Sequence, residues 1–121
     1  MKKILVVEDD NYLANAYRVK LTKAGFEIKI AYDGEEVSKI LDTFMPNLII
    51  LDLVLPKKDG FKILEELKGD PRYKNIPVLV SSNLGQQEDI NKSMKLGANG
   101  YIIKTDLSIN ELVVTINSFL K

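Results

Sequence analysis

Acidic residues end two of the chain's short apolar runs. Glu8, Asp9 and Asp10 follow Ile4-Leu5-Val6-Val7, and Asp52 follows Leu48-Ile49-Ile50-Leu51. Two further runs end in complementary groups: Ser81, Ser82 and Asn83 after Val78-Leu79-Val80, and Lys104 after Tyr101-Ile102-Ile103. Carboxylates brought together repel and raise one another's pKa, and a hard divalent cation relieves them. A small oxygen-only site that keeps several waters suits Mg2+. With an ammonium and a hydroxyl added, the set is what a transferred phosphoryl group needs: charge neutralisation on its oxygens and in-line positioning. A carboxylate such as Asp52 is then the candidate oxygen nucleophile. The competing reading is helix capping, common for acids near N-termini. It is preferred for Asp10, and the metal reading is preferred for Glu8, Asp9 and Asp52 taken together.

Composition narrows the chemistry. The 121 residues include no Cys and no His. Disulfides, thiolate or imidazole metal sites, a His general base and a phosphohistidine on this chain are therefore excluded. Lys plus Arg and Asp plus Glu number 17 each, so the formal net charge is zero. Nucleic-acid binders carry a basic excess, so no direct nucleic-acid contact is expected. The apolar run behind Lys2-Lys3 is only Ile4 to Val7, short of the roughly 7–15 residues of a secretory core or the ~20 of a membrane span. A cytoplasmic protein without membrane attachment is expected.

The elements that would position these groups alternate. Apolar runs at 4–7, 28–30, 48–51, 78–80 and 101–103 read as strands. The first, third and fourth are continuously apolar, as for strands covered on both faces. Helix-period stripes lie between them. These are Leu13, Tyr17, Leu21 and Ala24 before Gly25; Val37, Ile40, Leu41 and Phe44 behind an Asp33/Glu36 capping box; and Ile63, Leu64 and Leu67 before Gly69-Asp70-Pro71. A weaker stripe at Ile90 and Met94 ends near Gly97, and Ile109, Leu112, Val113, Ile116, Phe119 and Leu120 follow the box Ser108 to Glu111. The order βαβαβαβαβα predicts an α/β class, doubly wound five-stranded parallel sheet, (βα)5 flavodoxin-like, with strand order 2-1-3-4-5. Residues 1–121 are expected to form one domain, with no effector domain following. Ligands bind such sheets at the strands' carboxyl ends, and strands 1 and 3 are neighbours there. Asp52 then ends a central strand beside the acids of strand 1.

These residues resemble the receiver domain of two-component response regulators over essentially the whole chain. Ile4 to Asp10 is similar to the family's first strand and acidic pair, and Leu51-Asp52-Leu53-Val54-Leu55-Pro56-Lys57-Lys58-Asp59-Gly60 to its phosphoacceptor strand and Pro-x-x-Asp-Gly loop. Ile76 to Ser82 and Gly97 to Lys104 match its fourth and fifth strands. The resemblance implies Asp52 as phosphorylation site. It implies Mg2+ held by Glu8, Asp9, Asp52 and the Val54 backbone carbonyl, with Ser82 as switch hydroxyl, Tyr101 as switch aromatic and Lys104 as phosphoryl-binding lysine. It implies a sensor histidine kinase or phosphotransfer protein as donor and a downstream protein target. It also implies a changing surface on the fourth helix, fifth strand and fifth helix, in a monomer or a phosphorylation-dependent dimer. The chain would be a switch with slow autodephosphorylation, not an enzyme acting on others.

Three departures stand out. Asn83 replaces a small residue and Thr105 a proline, whose preceding bond is typically cis in the family. Val54 and Leu84 are apolar where many members are polar, which predicts a long-lived phosphorylated form. Three rivals frame the reading, one of them a small phosphatase or phosphotransferase turning over on Asp52, for which 121 residues offer no cap or substrate pocket. A receiver-like module working without phosphorylation usually loses an acid or the lysine, and this chain keeps them. A flavin-binding domain needs a phosphate loop after strand 1, where Glu8-Asp9-Asp10 would repel a phosphate.

Overall fold

The computed structural model describes residues 1–55, 58–83, 87–104 and 108–120. The departures expected at Leu84 and Thr105, the Pro56-Lys57 part of the loop and the Ile109 side chain lie outside the described residues. Strands β1 (Lys3–Val7), β2 (Glu27–Ala31), β3 (Leu48–Leu51), β4 (Val78–Ser82) and β5 (Gly100–Ile103) alternate with helices α1 (Asn11–Lys23), α2 (Gly34–Leu41), α3 (Gly60–Gly69), α4 (Gln87–Lys95) and α5 (Ile109–Phe119). All pairings are parallel, in the order β2-β1-β3-β4-β5. The expected topology is the observed one.

The sheet divides two cores by strand alternation. Leu5, Val7, Ile49, Leu51, Val78 and Val80 pack against Val37 and Leu41 of α2 and Ile63, Leu64 and Leu67 of α3. Ile4, Val6, Leu48, Ile50 and Leu79 pack against Tyr17 and Leu21 of α1 and Leu112 and Ile116 of α5. Each fully buried Leu or Ile contributes about 1.5–3 kcal/mol relative to exposure. Strands β3 and β4 are buried along their whole length and β1 from Ile4 onward, which accounts for the continuous apolar runs within them.

Helix ends follow local chemistry. The Asp10 side chain accepts from Leu13 N–H, so its capping role is realised. Gly25 stands at φ 98°, a left-handed position that suits glycine, and ends α1. Ser108 and Glu111 form the full capping box of α5. The α2 box differs: Asp33 accepts from Glu35 and Glu36 N–H, while Glu36 reaches one residue further back, to Tyr32 N–H at 2.6 Å. The α4 face also differs. Met94 is half exposed, and Ser93 is the buried residue among those described. The Ser93 hydroxyl donates to the Asp89 carbonyl within the helix, so its small side chain can face the body of the protein without an unpaired polar group.

Candidate functional site

The acids of strands β1 and β3 are fixed by their own backbone. Glu8 N–H donates to the Ala31 carbonyl at 2.9 Å and Asp52 N–H to the Val7 carbonyl at 3.1 Å, so each ladder runs one residue past its strand. Alternation turns both side chains to the α1/α5 side of the sheet edge. Glu8 is 2% and Asp52 6% exposed, while Asp9 is exposed. One carboxylate oxygen from each of Glu8, Asp9 and Asp52 lies within 4.8 Å of the others.

Lys104 reaches into this cluster from β5. Its ammonium donates to Glu8 Oε1 at 2.5 Å and to Asp52 Oδ2 at 3.0 Å. The remaining oxygens are also bonded: Glu8 Oε2 accepts from Asp10 N–H and Asp52 Oδ1 from Val54 N–H, each at 3.2 Å. Three carboxylates against one ammonium leave two negative charges, the complement of one divalent cation. With no His or Cys in the chain, the donors are oxygens, which fit Mg2+, Mn2+ or Ca2+ and disfavour softer metals. A cavity of about 240 Å3, lined by Glu8, Asp9, Asp10, Asp52, Val54, Ser82, Asn83 and Lys104, opens above the cluster. At about 30 Å3 per water, it has room for a tetrahedral anion and several waters. A cleft of about 280 Å3 between α2 and α3 lies elsewhere and contains none of these residues.

Burial and pairing compete here. Burial pushes the Glu8 carboxyl above its ordinary 4.5, and the Lys104 bond only partly offsets it. Burial opposes the Lys104 ammonium too, but its bonds to Glu8 and Asp52 prevail and hold its pKa above 10.5. A carboxyl raised in the fold binds its proton more tightly there than when unfolded. Its contribution therefore favours folding below pH 4.5 and is lost as pH rises through the folded value. In EDTA, the stability difference between Glu8→Gln and wild type is expected to shift in favour of the variant as pH rises above about 4.5. Urea unfolding at stepped pH measures it.

On the opposite face, Ser82 is fully buried. The partly buried Tyr101 packs against the α2/α3 core. Burial raises the Tyr101 phenol, opposed by its hydrogen bond to Ser82. The expected switch hydroxyl and switch aromatic are therefore already in contact. Val54, 61% exposed, and Asn83 stand at the cavity rim.

Gly60 has a role the sequence alone did not expose. Its N–H donates to the Leu53 carbonyl at 2.8 Å. A Cβ there would lie 2.4 Å from both the Asp52 carbonyl oxygen and Leu53 Cα. Backbone cannot yield as a side chain does, so Gly60→Ala should cost about 1–3 kcal/mol and displace Asp52. Gly69→Ala, with nothing within 4 Å, should be neutral or stabilising by about 0.4–1 kcal/mol. Urea midpoints of the two variants check this.

The sequence model of the response regulator receiver domain matches residues 4–117. The chain belongs to that family. Among curated relatives, the DNA-binding dual master transcriptional regulator RpaA of Synechocystis sp. is 33% identical over 121 residues, covering 100% of this chain and 50% of the relative. The receiver thus spans about half the length of the curated relatives it matches first. Among solved structures, the Mn(2+)-bound form of response regulator Rcp1 is 34% identical with a TM-score of 0.86, covering 98% of this chain and 94% of that one. The Vibrio cholerae chemotaxis protein CheY4 is 26% identical with a TM-score of 0.92, covering 99% of each chain. A metal-bound relative and the three convergent carboxylates together support a capacity for metal coordination in this receiver. No helix among the described residues is long and apolar enough to cross a membrane.

Proposed function

We propose that this receiver is a signalling switch that takes a phosphoryl group from a partner phosphohistidine onto Asp52 with Mg2+. The partner is a sensor histidine kinase or phosphotransfer protein in the cytoplasm, and a downstream protein target reads the result. The observation that carries the reading is the contact of Lys104 with both Glu8 and Asp52 beside Asp9. Glu8, Asp9, Asp52 and the Val54 carbonyl would hold the cation, which supplies charge neutralisation to the phosphoryl oxygens. An Asp52 carboxylate oxygen forms the new P–O bond as the donor's P–N bond breaks, and the imidazole nitrogen keeps that electron pair. The product adds negative charge and acceptor oxygens next to Lys104 and Ser82. Lys104 can then pair with a phosphoryl oxygen, and Ser82 can turn its hydroxyl to another. Any such turn alters the Ser82–Tyr101 bond and hence β5. The neighbouring α4 buries only Ser93 among its described residues. An element with few buried contacts shifts at little cost.

Incubation with an acyl phosphate tests the reading, with intact mass measured with and without Mg2+. One phosphoryl adduct that requires Mg2+ is expected. No adduct, with a partner still captured equally with and without beryllofluoride, would favour the phosphorylation-independent module instead. The apolar Val54 at the rim offers no hydrogen bond to a hydrolytic water. Val54→Asn should therefore hasten dephosphorylation by roughly twofold to tenfold, the equivalent of one hydrogen bond. Equal decay of the two phosphorylated proteins would discard that role.

A further inference from the structure

Beneath the acidic cavity lies a polar pair that packing does not require. The Tyr17 phenol of α1 is 3.3 Å from Ser81 Oγ of β4, and the residues are 4% and 3% exposed. Apolar side chains such as Leu21, Ile50, Leu112 and Ile116 make up the core that Tyr17 packs into. Burying two hydroxyls carries a desolvation cost that their mutual bond only offsets, so an apolar pair would fill this space as well.

Register explains why this spot is special. Val7 pairs with Leu51 and Leu51 with Val80. One step further, Glu8, Asp52 and Ser81 form a row across the sheet edge, all on the α1/α5 side. Ser81 itself pairs with Ile102. Lys104 lies two residues beyond Ile102, on the same side, and its ammonium reaches both Asp52 and Glu8. Its stem therefore returns across Ser81 to reach the acids. The Tyr17 phenol is close enough to feel all three charges: burial raises its pKa most, Lys104 lowers it, and Glu8 and Asp52 raise it.

We propose that Tyr17 and Ser81 are positioning residues for Lys104, forming a polar floor that fixes its ammonium between Glu8 and Asp52. The proposal rests on the phosphoacceptor reading above for its kinetic consequence. With the phenol gone, the Ser81 hydroxyl loses its partner and turns toward the nearest charge, drawing Lys104 off line. The effect should appear as slower phosphoryl transfer at saturating Mg2+ without any weakening of metal binding, because Lys104 competes with the cation for the acids and does not ligate it.

Phosphoryl uptake from acetyl phosphate at saturating Mg2+ tests this in Tyr17→Phe, in Tyr17→Phe/Ser81→Ala, and in Tyr17→Phe combined with Lys104→Met. Tyr17→Phe should slow uptake roughly fivefold, the equivalent of one ordinary hydrogen bond, with the Mg2+ half-saturation unchanged or lower. Adding Ser81→Ala should recover part of the rate, since it removes the orphaned hydroxyl. In the Lys104→Met background, Tyr17→Phe should change nothing further. A wild-type rate in Tyr17→Phe, or the same loss with and without Lys104, overturns the proposal. If the wild type takes up no phosphoryl group at all, the phosphoacceptor reading falls separately. Positioning is then judged in metal-free protein by the Lys104 Nζ resonance: a shift in Tyr17→Phe supports it, and an unmoved resonance overturns it.

Discussion

Lys104→Met is expected to lower the stability of the metal-free protein by about 3 kcal/mol, the cost of leaving buried charges without their partner. The lysine side chain is 12% exposed, and the Glu8 and Asp52 side chains it bonds are 2% and 8% exposed. Methionine keeps much of the apolar stem and removes only the cation, so the loss reports charge more than packing. Against a total of roughly 5–15 kcal/mol for a domain, this is a large fraction. Mg2+ should restore much of it. A cation in the same cluster replaces the missing positive charge, and saturation to about 100 times Kd contributes about 2.7 kcal/mol by mass action alone. Without the competing ammonium the variant should also bind Mg2+ more tightly than wild type. Urea unfolding in EDTA and in Mg2+ measures both quantities. Equal losses in the two conditions would mean that the lysine and the metal do not share these acids.

Asp52→Asn is expected to abolish phosphoryl uptake while leaving the fold in place. The amide has nearly the carboxylate's shape, and its one oxygen can accept from either Val54 N–H or Lys104, which in the wild type bond separate Asp52 oxygens. What it lacks is the nucleophilic charge, and no other group in the cavity stands in the same place. Asp9 is exposed, and Glu8 is buried more deeply than Asp52, at 2% against 6% exposed. Intact mass after treatment with acetyl phosphate and Mg2+ checks the result, with a thermal unfolding scan as the control for folding. A folded Asp52→Asn protein that still gains a phosphoryl group would transfer the acceptor role to another residue.

The sheet and the acidic edge were legible because each depends on a short local pattern. Continuous apolar runs mark covered strands, and the residue after each run falls at the sheet's ligand-binding edge whatever the helices do. Asp52 and Lys104 could therefore be paired in thought across 52 positions of sequence, and they are bonded in the structure. The Tyr17–Ser81 pair was not legible. Tyr17 sits in a helical apolar stripe where it reads as core, and its partner is 64 residues away. Gly60 appeared only as part of a motif, because its close approach to Asp52 is a backbone distance that no periodicity encodes. On α4 the periodicity pointed to Met94, yet Ser93 is buried. A hydroxyl that bonds within its own helix behaves as a small apolar group, and residue type alone does not reveal that. Glu36 likewise bonds Tyr32 rather than completing the expected box, since the turn before α2 brings that N–H within 2.6 Å.

The most direct test is to locate the phosphoryl group chemically. After incubation with acetyl phosphate and Mg2+, borohydride reduction converts an aspartyl phosphate to homoserine, and peptide mass spectrometry finds its position. Homoserine at position 52 alone, formed with Mg2+ and not in EDTA, is the predicted result. Homoserine at any other acid, or none in a protein that demonstrably binds Mg2+, would contradict it.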